Sequence, residues 1–273
     1  MGETILRCFY YAFVFLLGMC IFSFLNVLIY RLPRKIQFRK GRSFCPSCNH
    51  NLSAIDMVPV LSYLFLGRKC RYCKEKISPR YAIVELIGGF SSLLAFTHYF
   101  DFEQFIEKLQ MNGALWFSLL QTFFVLILFS FLTVVAYIDF DTMEISNGAS
   151  LWALVMGVLS MFILNDVSVV DHIIGFFVVS VPLYVITMII PDAFGGGDIK
   201  LMFGLGGLLG WKLALLALFI GIVSGGIFGA LVLMTKKMGR KDHFAFGPFL
   251  CAGTAIALLW GTELLNWYFG MYL

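Results

Sequence analysis

Two groups of side chains in this sequence could do chemistry by type and spacing: acids at the ends of apolar runs, and four cysteines in two close pairs. Asp139 follows directly on the apolar stretch VVAYI, and Asp198 follows three glycines, Gly195, Gly196 and Gly197. Ionisable groups at membrane depth are costly, which makes them functional candidates. Two carboxylates held close together do not both ionise readily, so they share a proton. One can then take a proton from water while the other donates to a carbonyl oxygen, the logic of an aspartic protease. A turn without Cβ atoms lets a substrate backbone lie close to Asp198 and lets the short segment after it swing. A single acid at an interface is more ordinarily a solvated cap. Asp192, after Pro191, reads as such a cap or first-turn acid, and Asp141 and Glu144 read as loop residues.

The cysteines stand as CPSC (Cys45, Cys48) and CRYC (Cys70, Cys73), with 21 residues between the pairs. That is close to the spacing of a four-cysteine zinc site, in which the thiolates close a tetrahedral structural centre. Arg42, Arg68, Lys69 and Arg71 would offset its negative charge. The competing readings are disulfides or a redox CxxC pair, and a reducing cytosol disfavours stable disulfides. Cys8, Cys20 and Cys251 lie in apolar segments and read as small hydrophobes. His50, His98, His172 and His243 are scattered without metal or triad spacing, and FGGGDIK lacks the Lys-Ser/Thr of a P-loop.

The elements that must position these groups are membrane helices. Apolar residues make up 60% of the 273 residues and charged ones only 13%, against about 25% charged in soluble domains. The expected fold is all-α and polytopic, with about eight apolar segments near 9–30, 82–99, 114–137, 149–165, 172–190, 200–210, 213–235 and 246–269. No cleavable signal peptide or nucleic-acid motif is read from the sequence. Twelve of the 20 Lys and Arg fall between Arg31 and Arg80, which places that loop in the cytoplasm. The basic cluster Lys236, Lys237, Arg240 and Lys241 must share that side, so the chain crosses an even number of times between it and Lys200. Residues 200–210 are too few for a full span and hold four glycines. They read as a short or half-inserted helix turning back near Gly210-Trp211 and lining a wet cleft. Gly221, Gly225 and Gly229 read as helix-packing positions. The expected organisation is a first transmembrane segment over 1–30, a small cysteine-rich zinc-binding cytoplasmic loop over 31–80, and a transmembrane aspartic peptidase core over 81–273.

With those residues in view, the chain resembles a known family. Gly195-Gly196-Gly197-Asp198 fits the G-x-G-D motif of membrane aspartic proteases. The stretches FSFLNVLIYRLP (22–33), VPVLSYLFLGRKCRYC (58–73), ISPRYAIVELIGG (77–89) and FAFGPFLCAG (244–253) together resemble the bacterial type IV prepilin peptidases. That resemblance implies a multi-pass inner-membrane enzyme whose active site faces the cytoplasm. It implies cleavage of the short basic leader of type IV pilin, type II secretion pseudopilin or competence pilin precursors. It implies Asp139 and Asp198 as the catalytic pair. It also implies N-methylation of the new amino terminus with S-adenosylmethionine, for which Glu85, Gly88 and Gly89 are the candidate residues. The family usually places Pro shortly after the first catalytic Asp, where this chain reads Ile145-Ser146-Asn147. Two other classes compete: a transporter with broken helices, and a membrane thiol oxidoreductase using the CxxC pairs.

Overall fold

The computed structural model describes residues 2–37, 42–100, 102, 105, 113–164, 167–191, 193–235 and 244–270. Asp192, His243 and the cluster Lys236, Lys237, Arg240 and Lys241 lie outside the described residues. The chain is helical: α1 Gly2–Arg31, α2 Leu61–Phe65, α3 Arg80–Tyr99, α4 Gly113–Thr142, α5 Asn147–Ile163, α6 Val169–Val178, α7 Ser180–Ile189, α8 Gly196–Leu209, α9 Trp211–Met234 and α10 Gly247–Gly270. Pairing of extended backbone among the described residues is confined to two isolated bridges, Phe44 with Asn51 and Lys69 with Lys76.

Among the described residues, six stretches are long and apolar enough to cross a bilayer: Thr4–Arg31, Arg80–Tyr99, Gly113–Thr142, Val169–Ile189, Trp211–Met234 and Gly247–Gly270. With the shorter Asn147–Ile163 and Gly196–Leu209 they account for the eight apolar segments of the sequence. The Val169–Ile189 span breaks between α6 and α7, where Pro182 has no N–H to give to the Val178 carbonyl. The chain's packing divides it into two units, Met1–Ser130 and Phe131–Leu273.

In the first unit α1 and α3 lie side by side. Small residues allow the approach: a Cβ at Gly88 would enter the ring of Phe22, and one at Gly89 the ring of Phe15. Between them runs the cysteine loop. The guanidinium of Arg31, at the end of α1, donates to the carbonyls of Gln37 and Arg42 and so draws the two sides of the loop base together.

The second unit is built around α8. Fourteen residues rise only about 21 Å, short of the ~30 Å hydrocarbon core. The helix ends at Gly210, whose φ of +75° lets the chain reverse directly into α9. The reversal is pinned at three points: Gly210 N–H donates to the Gly206 carbonyl, Trp211 Nε1 donates to Asp171 Oδ1 at 2.8 Å, and His172 Nδ1 meets the Gly207 carbonyl at 2.7 Å. Instead of lining a wet cleft, α8 is the packed centre of its unit, with Leu201, Met202, Leu205, Leu208 and Leu209 buried. The glycines explain the difference. Gly204 sits on the α5 backbone at Ala153, and Gly206 faces Gly175 of α6, so neighbouring helices close over α8 and exclude water. Gly221 and Gly225 of α9 similarly receive Leu250 and Phe246.

Candidate active site

Asp139 and Asp198 both belong to the second unit, and both are buried although acidic. The α4 helix does not end with the apolar run near residue 137. It continues to Thr142, whose hydroxyl donates to the Ile138 carbonyl at 2.8 Å, so Asp139 and Asp141 are helical. Met143, at φ +54°, closes the helix by donating its N–H to the Asp139 carbonyl at 2.7 Å. The chain re-enters helix at once. Ser146, in the stretch where the family usually carries Pro, is the N-cap of α5 and accepts from Ala149 N–H at 3.2 Å.

Each carboxylate is held by a helix N-terminus, where unsatisfied N–H groups and the helix dipole favour negative charge. Asp198 lies in the first turn of α8 and reaches back to the N–H of Gly195, the N-cap residue. Asp139 accepts from the N–H of Gly247, the first residue of α10, at 2.9 Å. A Cβ at Gly247 would stand 2.6 Å from Asp139 Oδ2. Ile145 packs beneath both carriers: a Cβ at Gly197 would meet its Cβ at 2.9 Å, and one at Gly247 its Cδ1 at 3.3 Å. The two aspartates lie within electrostatic reach of each other, and both reach the buried thiol of Cys251. Asp198 Oδ1 is buried with no hydrogen-bond partner in the described structure. A buried carboxylate oxygen left in this state has room in its chemistry for a water or a substrate group.

The three glycines are not a free turn as expected: Gly196 and Gly197 already belong to α8, Gly195 is its N-cap and abuts the Asp198 carboxylate, and Gly197 abuts Ile145. Asp141 and Glu144 are exposed near this site. Lys200 Nζ donates to Asn147 Oδ1 at 2.9 Å and ties the start of α8 to that of α5.

The four cysteines of the first unit converge, with all four Sγ atoms within 4.8 Å of one another and Cys45 and Cys73 at 3.9 Å. Four ligands about 2.3 Å from a central ion stand ~3.8 Å apart, so the set fits one tetrahedral metal. Each pair sits on the same turn. Cys45 N–H donates to the His50 carbonyl and Asn49 N–H to the Cys45 carbonyl; Cys70 N–H donates to Glu75 and Lys74 N–H to Cys70 in the same pattern. Asn49 and Lys74 both take positive φ, 57° and 62°.

The donor set itself asks for a cation. Burial works against ionising Cys45, but amide hydrogen bonds from Cys48 and Ser47 and thiol hydrogen bonds from Cys70 and Cys48 outweigh it and lower this thiol to about 7. An amide bond from Glu75 favours the Cys73 thiolate, yet burial and the other three sulfurs push it up to about 11. Arg71, expected to offset the thiolates, instead pairs with Asp56 at 2.6 Å.

Glu85 is buried on α3 and accepts from Ser23 Oγ at 2.7 Å and from the Val60 N–H at 2.8 Å. Gly88 and Gly89 do not join it: their faces are filled by Phe22 and Phe15 and serve the α1–α3 approach.

Residues 16–99 match the bacterial peptidase A24 N-terminal domain, and residues 126–230 match the type IV leader peptidase family. The chain is 30% identical to a prepilin leader peptidase/N-methyltransferase of Aeromonas salmonicida strain A449, over 95% of this chain and 94% of that one. The chain belongs to the type IV leader peptidase family. Relatives with the same name in Aeromonas hydrophila (30% identity, 97% and 95% covered) and Bacillus subtilis strain 168 (28%, 95% and 98%) match across nearly their whole length. No solved structure matches. Within this leader peptidase, the first matched domain contains the cysteine cluster and Glu85, and the second contains both aspartates.

Gly247 lies beyond the second matched domain, and sequence reasoning gave it no role. The available signal was Gly247-Pro248 opening an apolar run: a helix start whose preceding residue, Phe246, has no capping oxygen.

Proposed function

We propose that this protein cleaves the leader from prepilin-like precursors with Asp139 and Asp198, and then N-methylates the new amino terminus. The observation that carries the reading is the pair itself. Two buried acids in one unit each sit at a helix N-terminus, and Asp198 keeps one oxygen free of partners.

A water held between the carboxylates loses a proton to the ionised one, and its oxygen attacks the scissile carbonyl carbon. The protonated partner donates to the carbonyl oxygen. Collapse of the tetrahedral species breaks the C–N bond, and the proton gained from water passes to the departing nitrogen. The donors Gly195 and Gly247 hold each carboxylate in place through the cycle. With the active site facing the cytoplasm, exposed Asp141 and Glu144 would attract a basic leader while the apolar segment of the substrate stays in the bilayer.

The cleavage product carries a free amine, the nucleophile that methylation requires. S-adenosylmethionine supplies an electrophilic methyl on a sulfonium. Zinc is the ion that best suits four cysteine sulfurs at this spacing, as a closed structural site with no open catalytic position.

Incubating purified protein with a prepilin-like precursor tests the reading. Cleavage at the boundary between leader and apolar segment, lost in Asp139→Asn and in Asp198→Asn, is expected. Normal cleavage by both variants would overturn the two-aspartate mechanism.

A further inference from the structure

Between its two cysteine turns, the loop of the first unit presents an apolar face that the leader peptidase reading leaves unused. Its centre is α2, whose two sides differ. Ser62 and Leu66 look inward, into the space shared with Asn26 of α1 and Glu85 of α3. Leu61, Leu64 and Phe65, at i, i+3 and i+4, form the other side and are exposed, Phe65 by 86%. The turn Ala54–Met57 packs on α2 and adds Ile55, 69% exposed. Arg68 and Lys69 follow α2 closely, and both are exposed. An uncovered apolar face edged by charge marks a surface for a protein partner or for a membrane.

The depth of α2 favours the membrane. The 20 residues of α3 rise about 30 Å, the thickness of the hydrocarbon core, so Arg80 stands at the bilayer boundary. Val60, which opens α2, donates its N–H to Glu85 Oε2 at 2.8 Å. Glu85 lies about 7 Å along the α3 axis from Arg80. Val60 makes this bond from a strained turn, a β-branched residue at φ +60°. The other end of α2 is tied closer to the boundary. Ile77 N–H donates to the Arg68 carbonyl at 2.8 Å, and only about 10 Å of chain separates Ile77 from Arg80. The hairpin therefore lies across the layer where amphipathic helices rest, with apolar faces ~5–10 Å into the headgroup and acyl boundary. Its apolar end is the deeper one and its basic end the shallower, the order that snorkelling cations require. Over the same turns α3 exposes Ile83, Leu86, Ile87 and Phe90 at the spacing of one helix face, a lipid-facing stripe at the same depth. Charge selects the lipid: from Arg31 to Arg80 the chain holds 12 Lys and Arg against Asp56 and Glu75, which draws anionic headgroups.

We propose that the hairpin 55–69 docks in the bilayer interface, with Leu61, Leu64 and Phe65 among acyl chains and Arg68 and Lys69 on the headgroups of anionic lipid. Cys70 follows Lys69 directly, so this contact also holds the second cysteine turn to the membrane face.

A photoreactive benzophenone side chain in place of Phe65 tests the docking. The full-length, metal-loaded protein is reconstituted in vesicles of equal phosphatidylethanolamine and phosphatidylglycerol and irradiated, and its adducts are read by mass spectrometry. The same label in place of Phe90 is the reference for a lipid-facing position. Lipid adducts are expected at both positions, with phosphatidylglycerol enriched about fivefold or more at 65 over 90, as for one or two cations at a membrane surface. Arg68→Gln combined with Lys69→Gln is expected to abolish the enrichment and keep the lipid adduct. Equal ratios at the two positions in the wild-type background would overturn the anionic contact. An adduct at 65 to a second copy of the chain, or to added precursor in place of lipid, would overturn the docking, as would labelling at 90 alone. Should the label at 65 prevent folding, Leu64 on the same face takes it, with the same expected and contrary results.

Discussion

The N–H of Gly247 donates to Asp139 Oδ2 at 2.9 Å, joining residues 108 positions apart in the chain. The start of α10 is thereby part of the candidate active site, because its first free N–H holds one of the two acids proposed to do the chemistry. Gly247→Ala places a methyl 2.6 Å from that oxygen. The expected outcome is a fall in cleavage rate on the order of 10²-fold, the usual cost of misplacing a reacting group by about an ångström. Precursor-cleavage kinetics on the purified variant, with its thermal unfolding measured alongside, check this. A rate within about twofold of wild type would show that Asp139 tolerates the displacement.

Asp139→Asn and Asp198→Asn keep shape and would remove the proposed acid–base function. Each should cost several orders of magnitude in cleavage rate, and the double variant little more, because groups that act as a unit are not additive. Asp141→Asn and Glu144→Gln, both exposed, should act mainly through KM. Steady-state rates on one precursor compare all five.

Much of this was legible in the sequence, for definite reasons. The apolar runs are long enough that only membrane helices satisfy their backbones, and glycines with charge on either side marked 200–210 as short of a span. The two aspartates stood out because acids are rare beside apolar runs. The end of α4 was less legible: VVAYI ends the apolar signal, but the Thr142 and Met143 hydrogen bonds carry the helix four residues further. The burial of α8 and the grip of Gly247 on Asp139 depend on contacts between distant elements, which no local pattern encodes. The Val60 turn was illegible because a β-branched residue is the last one expected at positive φ.

The interior of the second unit should tolerate little growth at its glycines. Gly204 rests directly on the α5 backbone at Ala153, where nothing can rotate aside. Gly204→Val should destabilise by at least about 1–3 kcal/mol, the range for overpacking a close-packed core. Gly226→Ala, at a position with open space, should be nearly neutral. Unfolding of the two variants in the same detergent gives the comparison.

Metal analysis of the purified protein should find about one zinc per chain, held by Cys45, Cys48, Cys70 and Cys73. Cys45→Ser or chelation should open the loop around 42–77 to protease while cleavage of precursor persists, since Asp139 and Asp198, the acids proposed to cleave it, lie in the other unit. Four freely alkylated thiols in native protein with no bound metal would contradict the site.

The twin turns that carry the cysteines give the candidate metal site a front and a back. Each turn is a complete two-sulfur chelate, so an ion can be captured by one half and then locked by the other. The exposed sulfurs, Cys48 and Cys73, form the outer edge, and the buried ones, Cys45 and Cys70, form the inner edge, beside a cavity of about 430 Å³ that Ser23, Asn26 and Glu85 also line. Oxidants and competing chelators therefore reach the outer pair first. Damage begins on the side away from the cavity, and an ion lost there leaves the inner sulfurs as the last part of the clasp to fail.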